Sequence, residues 1–248
     1  LVENDRVIGG LTERCSNAAV ALYGIFVKGD CIVTNARTAE MTKLTENASR
    51  DVSIAFANEL SMICDKSDID VWELIELANR HPRVNILQPG PGVGGHCIAV
   101  DPWFIVSKFP GESKLIHTAR KVNDAKPRWV IEKVKAVLAE FLLLHPTNSA
   151  NEVTLACFGL AFKPDIDDLR ESPALEIVKA LARMGVGKIL AVEPNISQLP
   201  GSLSEAIELV SISKALGESN VCVLLVDHTE FKSMTKSDLE GKFIVDTK

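Results

Sequence analysis

Cys97 closes the run Pro89-Gly90-Pro91-Gly92-Val93-Gly94-Gly95-His96-Cys97, four residues before Asp101, and a thiol in so bare a loop is a candidate nucleophile. Glycine removes side-chain bulk and widens the accessible backbone angles, so a ligand can approach the main chain beside the sulfur. His96 adjoins Cys97, but neighbours in an extended run point to opposite sides, so a Cys/His pair is not expected. His81, His117, His145 and His228 fall at element ends without an acid partner in sequence and read as structural or incidental. Lys43, Asn47 and Arg50 share one face of a helical stretch, where a lysine and an amide can act on one oxygen; the same spacing also suits ordinary surface pairing with Glu46. Lys163 lies in Gly159-Leu160-Ala161-Phe162-Lys163-Pro164, directly after an apolar run, where open parallel sheets bind ligands. Ser172-Pro173 then opens a helix whose N-terminus, with Arg170 near, suits an anion, although Asp165 to Glu171 equally reads as a solvated charged loop.

These residues need elements to hold them. Ser16–Val27 reads as a helix and Cys31–Thr34 as a strand, an αβ tail whose sheet lies elsewhere. Leu44, Ala48, Val52, Ala55, Phe56, Leu60 and Ile63 recur at helical spacing, predicting one long amphipathic helix from Ala36 to about Lys66 that joins two domains. Val71–Asn79 is a second helix, and the Gly/Pro loop then leads through Cys97 into an extended run and Trp103–Val106. Two further helices are expected, Ser113–Asn123 and Arg128–Leu144, with Pro127 in the first turn of the latter, before a polar linker from His145 to Glu152. From Val153 the pattern becomes strand, helix Pro173–Met184, strand Lys188–Val192, helix Leu203–Lys214, strand Val221–Val226, a short helix and strand Phe243–Val245. Continuous apolar strands joined by helices predict a parallel sheet covered on both faces. The fold class is therefore α/β: a C-terminal Rossmann-like parallel sheet domain, preceded by a helical central domain with a long connecting helix.

Composition narrows the function. A net charge of −6 offers no basic surface for nucleic acid, and the longest apolar runs are too short to cross a bilayer. Leu1–Gly10 lacks the basic start and apolar middle of a signal peptide, which points to the cytoplasm. The six cysteines form no CxxC pair, so neither a zinc framework nor disulfides are expected; Cys31, Cys64, Cys157 and Cys222 read as small buried hydrophobes, and Cys15 is undecided. With neither GxGxxG nor GxxxxGK[ST], glycine spacing gives no dinucleotide or nucleoside-triphosphate site.

Three ordered motifs resemble the UDP-sugar 6-dehydrogenases: Glu40-Met41-Thr42-Lys43-Leu44-Thr45-Glu46-Asn47, then Gly94-Gly95-His96-Cys97-Ile98-Ala99-Val100-Asp101-Pro102-Trp103, then Gly159 to Asp165 with Leu169-Arg170-Glu171-Ser172-Pro173. The resemblance implies oxidation of a sugar C6 alcohol to a carboxylate with two NAD⁺ reduced in succession. Cys97 matches the nucleophile that forms a thiohemiacetal and then a thioester. Lys43 and Asn47 match oxyanion-stabilising residues, and Asp101 matches a carboxylate that activates water. Phe162, Lys163 and the backbone amides of Gly92, Gly94 and Gly95 match UDP-sugar contacts. Arg83 resembles an arginine reaching into a neighbouring subunit's site, and Lys248 a basic substrate contact. Val93 and Val100 replace the aromatic residue and lysine usual in the UDP-glucose branch, favouring an N-acetylated hexosamine over UDP-glucose. The resemblance further implies that residues 1–35 end an NAD-binding Rossmann domain, that 36–147 form a helical central domain dimerising through its long helix, and that 148–248 bind the UDP-sugar. The glycine fingerprint and glutamate of that first domain have no counterpart here, so this polypeptide alone is expected to lack NAD⁺ binding and turnover and to act as a nucleotide-sugar-binding, dimerising module. An unrelated cysteine hydrolase or acyltransferase is the remaining alternative, and it needs a histidine base.

Overall fold

A computed structural model describes residues 2–201, 203 and 206–248. The chain opens with strand β1 (Arg6–Gly10), helix α1 (Glu13–Tyr23) and strand β2 (Cys31–Asn35), and β1 pairs in parallel with β2 from Arg6↔Cys31 to Gly10↔Asn35. Among the described residues this sheet has two strands, and β1 is not among the elements expected from the sequence. Helix α1 starts earlier than its apolar pattern because Thr12 caps it, its side chain accepting the Cys15 N–H.

Helix α2 (Ala36–Lys66) is capped by Asn35, whose side chain accepts the Thr38 N–H, and the short helix α3 (Val71–Ala78) by Asp70. The run after Cys97 is not extended. It turns into helix α4 (Asp101–Lys108), where Pro102 sits in the first turn and its missing N–H costs nothing. The two helices expected around Pro127 are one, α5 (Lys114–Leu144). Proline removes a hydrogen bond at a cost of about 3 kcal/mol in a helix interior, and packing on both sides offsets it: Arg120 and Asn123 are buried before Pro127, Val130, Val134 and Leu138 after it.

A second sheet follows a polar connection that includes one 3-10 turn, Ala150–Glu152. Its elements are β3 (Thr154–Phe158), α6 (Pro173–Arg183), β4 (Lys188–Val192), β5 (Ile207–Leu209), α7 (Ile212–Glu218), β6 (Val221–Leu224) and β7 (Phe243–Asp246). The expected Leu203–Lys214 helix is corrected to strand β5 followed by α7, with residues 204 and 205 outside those described. Ile207 pairs with Ile189 at the sheet edge, a gain no local helix offers. The order β5-β4-β3-β6-β7 is parallel throughout. Leu155 and Cys157 face a core shared with α5 and α6, while Ala156 and Phe158 face a second core with Ala215 and Phe231. Each fully buried leucine or valine contributes about 1.5–3 kcal/mol, which is why these strands are apolar on both faces.

Candidate functional site

The carboxyl ends of β3, β4, β6 and β7 point the same way, and there the sheet meets the Gly/Pro loop between α3 and α4. A cleft of ≈ 350 Å³ lies at this junction, lined by Arg50, Ile54, Gln88, Gly90, Gly92, Gly94, Ile98, Phe162, Lys163 and Lys248 among others. The glycines are needed for this close approach. A Cβ on Gly94 would stand 2.4 Å from the Glu171 carbonyl oxygen, and one on Gly95 3.1 Å from the Phe162 ring; Gly95 also has φ +83. A Cβ on Gly90 would lie 3.3 Å from Lys248 Nζ, and that ammonium is 3.5 Å from Asp227. Burial raises the neighbouring Asp246 carboxyl above its ordinary pKa.

Cys97 is exposed at the entry to α4. Its carbonyl accepts the N–H of Val100 at 3.1 Å and of Asp101 at 2.8 Å, which fixes the thiol residue one turn from the carboxylate. Asn47 donates from Nδ2 to Asp101 Oδ2 at 2.5 Å, and Lys43 Nζ donates to Asn47 Oδ1 at 3.4 Å. Lys43 also contacts Glu46 at 3.3 Å, the surface pairing that its spacing equally suits. Hydrogen bonds from Arg170 hold the Asp168 carboxyl well below the usual carboxylate range.

Two buried polar chains support the site. Arg120 Nη1 donates to Asp51 at 2.6 Å, Asn123 Nδ2 donates to the same oxygen at 2.8 Å, Asn58 donates to Asn123 at 2.9 Å, and the Gly90 N–H donates to Asn58 at 2.9 Å. Burial is the largest influence on Asp51 and raises its carboxyl, against the pull of Arg120. On the sheet side, Glu193 accepts the N–H groups of Leu160 at 2.7 Å and Ala161 at 3.0 Å.

Lys43, Asn47 and Asp101 are therefore brought together, and Gly92, Gly94, Phe162, Lys163 and Lys248 line the cleft, with Gly95 against the Phe162 ring; Cys97, Lys43, Asn47 and Asp101 are not among the lining residues. Arg83 is not among its lining residues; it is exposed in the α3–α4 connection, its N–H on His81 Nδ1 at 3.3 Å. Cys64, Cys157 and Cys222 are buried, and burial pushes the Cys157 thiol up to about 12, so these are inert; Cys31 is only half-buried, a correction explained by its edge strand. Gly9 and Gly10 serve packing, since a Cβ would meet the Asn35 carbonyl at 2.5 Å or the Ser16 N–H group at 2.6 Å. Among the described residues, Asp165, His228 and Glu230 offer ligand atoms within 4.8 Å of one another, but His228 Nδ1 already accepts the Asp165 N–H.

Residues 37–125 match the central domain of the UDP-glucose/GDP-mannose dehydrogenase family, and residues 156–248 match its UDP binding domain. The chain belongs to this family. A UDP-N-acetyl-D-mannosamine dehydrogenase of Yersinia pestis is 62% identical over 248 residues, all of this chain and 59% of that protein. An NDP-N-acetyl-D-galactosaminuronic acid dehydrogenase of Ralstonia solanacearum is 59% identical over all of this chain and 56% of its own length. Among solved structures, a UDP-N-acetyl-mannosamine dehydrogenase from S. aureus matches with a TM-score of 0.82 and 43% identity, covering 100% of this chain and 56% of that one. The chain thus spans less than two thirds of the family relatives it matches.

Sequence reasoning passed over two members of the site region. Glu193 follows β4 directly, a strand-end position that parallel sheets reserve for ligand or loop contacts. His228, read as incidental, has an acid partner after all: Glu193 lies 3.0 Å from its Nε2, 35 residues away in sequence. No local spacing reveals that pairing.

Proposed function

We propose that the whole protein is a UDP-N-acetyl-D-mannosamine 6-dehydrogenase. In this reading residues 1–35 end its NAD-binding unit, 36–147 form its central unit and 148–248 its UDP-sugar-binding unit. One observation carries it: the loop bearing Cys97 closes on Phe162, Lys163 and Lys248 at the carboxyl end of a parallel sheet. Lys163 and Lys248 suit a diphosphate, Phe162 and Ile98 a ring face, and the bare amides of the glycine loop a sugar.

The chemistry of this chain's own residues follows. The C6 alcohol loses a proton and a hydride to become an aldehyde, with Lys43 and Asn47 stabilising the negative oxygen. The aldehyde carbon then accepts the Cys97 sulfur; its C=O π bond opens and the oxygen takes a proton. This thiohemiacetal gives up its O–H proton and a second hydride, its C=O bond re-forms, and it becomes a thioester. Asp101, aligned by Asn47, takes a proton from water as the water attacks, and the C–S bond breaks to leave the carboxylate and the free thiol. NAD⁺ would supply the hydride acceptor, held mostly by parts of the whole protein outside this chain. A homodimer fits Phe56 and Ile63 on α2 and Phe104 on α4, apolar side chains that stay half-exposed here, and it would bring Arg83 to the partner's site.

The whole enzyme is expected to form two NADH per UDP-N-acetylmannosamine, and Cys97→Ala to lose acid production. Unchanged turnover in that variant removes Cys97 as nucleophile. UDP-N-acetylglucosamine and UDP-glucose, assayed in parallel, decide the sugar. For the 248-residue chain, calorimetry with UDP tests the cleft, and no heat at millimolar UDP refutes it.

A further inference from the structure

The segment that carries Phe162 and Lys163 has little regular structure of its own, and two of its backbone angles are unusual. Gly159 has φ +88, and Asp165, with a side chain, has φ 59. A non-glycine residue in the left-handed region persists where its surroundings over-determine it. Both ends of the segment are tied to one buried pair. At the front, Glu193 Oε2 accepts the N–H of Leu160 and Ala161; at the back, His228 Nδ1 accepts the N–H of Asp165 at 2.9 Å. Glu193 is 3% exposed and His228 0%.

The ring's protonation follows from its neighbours. Nδ1 faces two donors, the Asp165 N–H and Asn195 Nδ2 at 3.0 Å, so it carries a lone pair; Nε2, 3.0 Å from Glu193 Oε2, carries the proton and donates. Asn195 also donates its N–H and Nδ2 to Glu193 Oε1, so the carboxylate is saturated with donors and the hydrogen bonds hold it below its ordinary pKa despite burial. The Asp165 side chain, for its part, accepts from Thr229 N–H at 2.8 Å and Thr229 Oγ1 at 2.7 Å. Phe231 closes the far side of the ring, edge-on at 5.3 Å.

We propose that Glu193 and His228 are positioning residues: a buried carboxylate–imidazole clamp that grips residues 160–165 at both ends and so sets Phe162 and Lys163 against the ligand. The inference rests on the cleft being a nucleotide-sugar site. It assigns the histidine's two nitrogens different tasks, and two near-isosteres separate them. Glutamine at 228 can still donate to Glu193 from the place of Nε2, whereas asparagine can still accept from Asp165 at the place of Nδ1.

The test uses the 248-residue chain, with amide hydrogen exchange by NMR, the ring-nitrogen spectrum, and calorimetry with UDP. The wild-type chain is expected to show slow exchange at Leu160, Ala161 and Asp165 and a His228 protonated at Nε2 alone. His228→Gln is expected to speed exchange at Asp165 while Leu160 and Ala161 stay protected, and to weaken UDP by about tenfold. His228→Asn is expected to restore Asp165 protection and most of the affinity. A proton on Nδ1, fast exchange at Asp165 in the wild type, or a folded His228→Gln that binds UDP within about twofold of wild type overturns the clamp. If the wild type binds no UDP, the nucleotide-sugar reading fails, and the exchange pattern still decides whether the clamp exists.

Discussion

Lys126→Met is expected to make the chain more stable at pH 7, against the usual cost of altering a buried residue. Lys126 is 2% exposed; its ammonium donates to Ser61 Oγ at 2.5 Å and stands 3.8 Å from the Trp129 ring centroid, beside a small cavity. Burial lowers its pKa from 10.5 to about 8, with Asp65 opposing. A base whose folded-state pKa is depressed binds fewer protons when folded, so the charge costs stability below the folded pKa and the cost fades as pH rises from about 8 to 10.5. The cost is about 3 kcal/mol at pH 7 and below about 1 kcal/mol at pH 10. Methionine keeps the packing against Trp129 but loses the Ser61 hydrogen bond, worth about 1 kcal/mol, which leaves a gain of about 2 kcal/mol at pH 7 and near zero at pH 10. With a urea m-value of about 2 kcal/mol/M, the midpoint rises by about 1 M at pH 7. All three tryptophans, Trp72, Trp103 and Trp129, lie in α3, α4 and α5, and Trp129 also packs against the core that α5 shares with the second sheet, so their fluorescence follows the surroundings of Lys126. A destabilised variant at pH 7, or an advantage that does not shrink between pH 7 and pH 10, refutes the reasoning.

Arg120→Met leaves Asp51 buried without its cation and is expected to cost about 3–5 kcal/mol at pH 7 by urea unfolding. Since burial already raises the Asp51 carboxyl, protonation relieves the loss, and the cost should shrink as pH falls from 7 towards 4. Gly94→Ala sets a new Cβ 2.4 Å from the Glu171 carbonyl and should weaken UDP at least about tenfold by calorimetry while leaving the fold intact, because both partners are loop backbone. Asn47→Ala releases Asp101 and should lower kcat of the whole enzyme about 100-fold with little change in KM, read as NADH formation.

The strongest periodic signals were legible from residues alone: α2 runs from Ala36 to Lys66, and β4 from Lys188 to Val192, as their apolar spacing predicts. Errors arose where a distant partner outweighs local preference. Pro127 punctuates a sequence, yet α5 continues through it because buried residues on both sides hold the helix. Residues 207–209 fit a helical pattern and form a strand because β4 offers an edge. The lysine, amide and carboxylate assembled because one helix face and one loop meet, but Glu193 and His228 had no local signature and needed the sheet to set the ends of β4 and β6 on either side of β3.

Helix α5 has a mechanical consequence. It packs against α2 at one end of the molecule and against α6 and β7 at the other, so a single rod of 31 residues is embedded in both halves that border the cleft. Pro127 sits midway, its ring 3.2 Å from where a Gly92 Cβ would stand, so the rod also abuts the glycine loop. A structure braced in this way cannot open like a hinge at the polar connection between His145 and Val153 without unpacking a core. The two walls of the cleft are therefore held at a spacing that α5 sets before any ligand arrives.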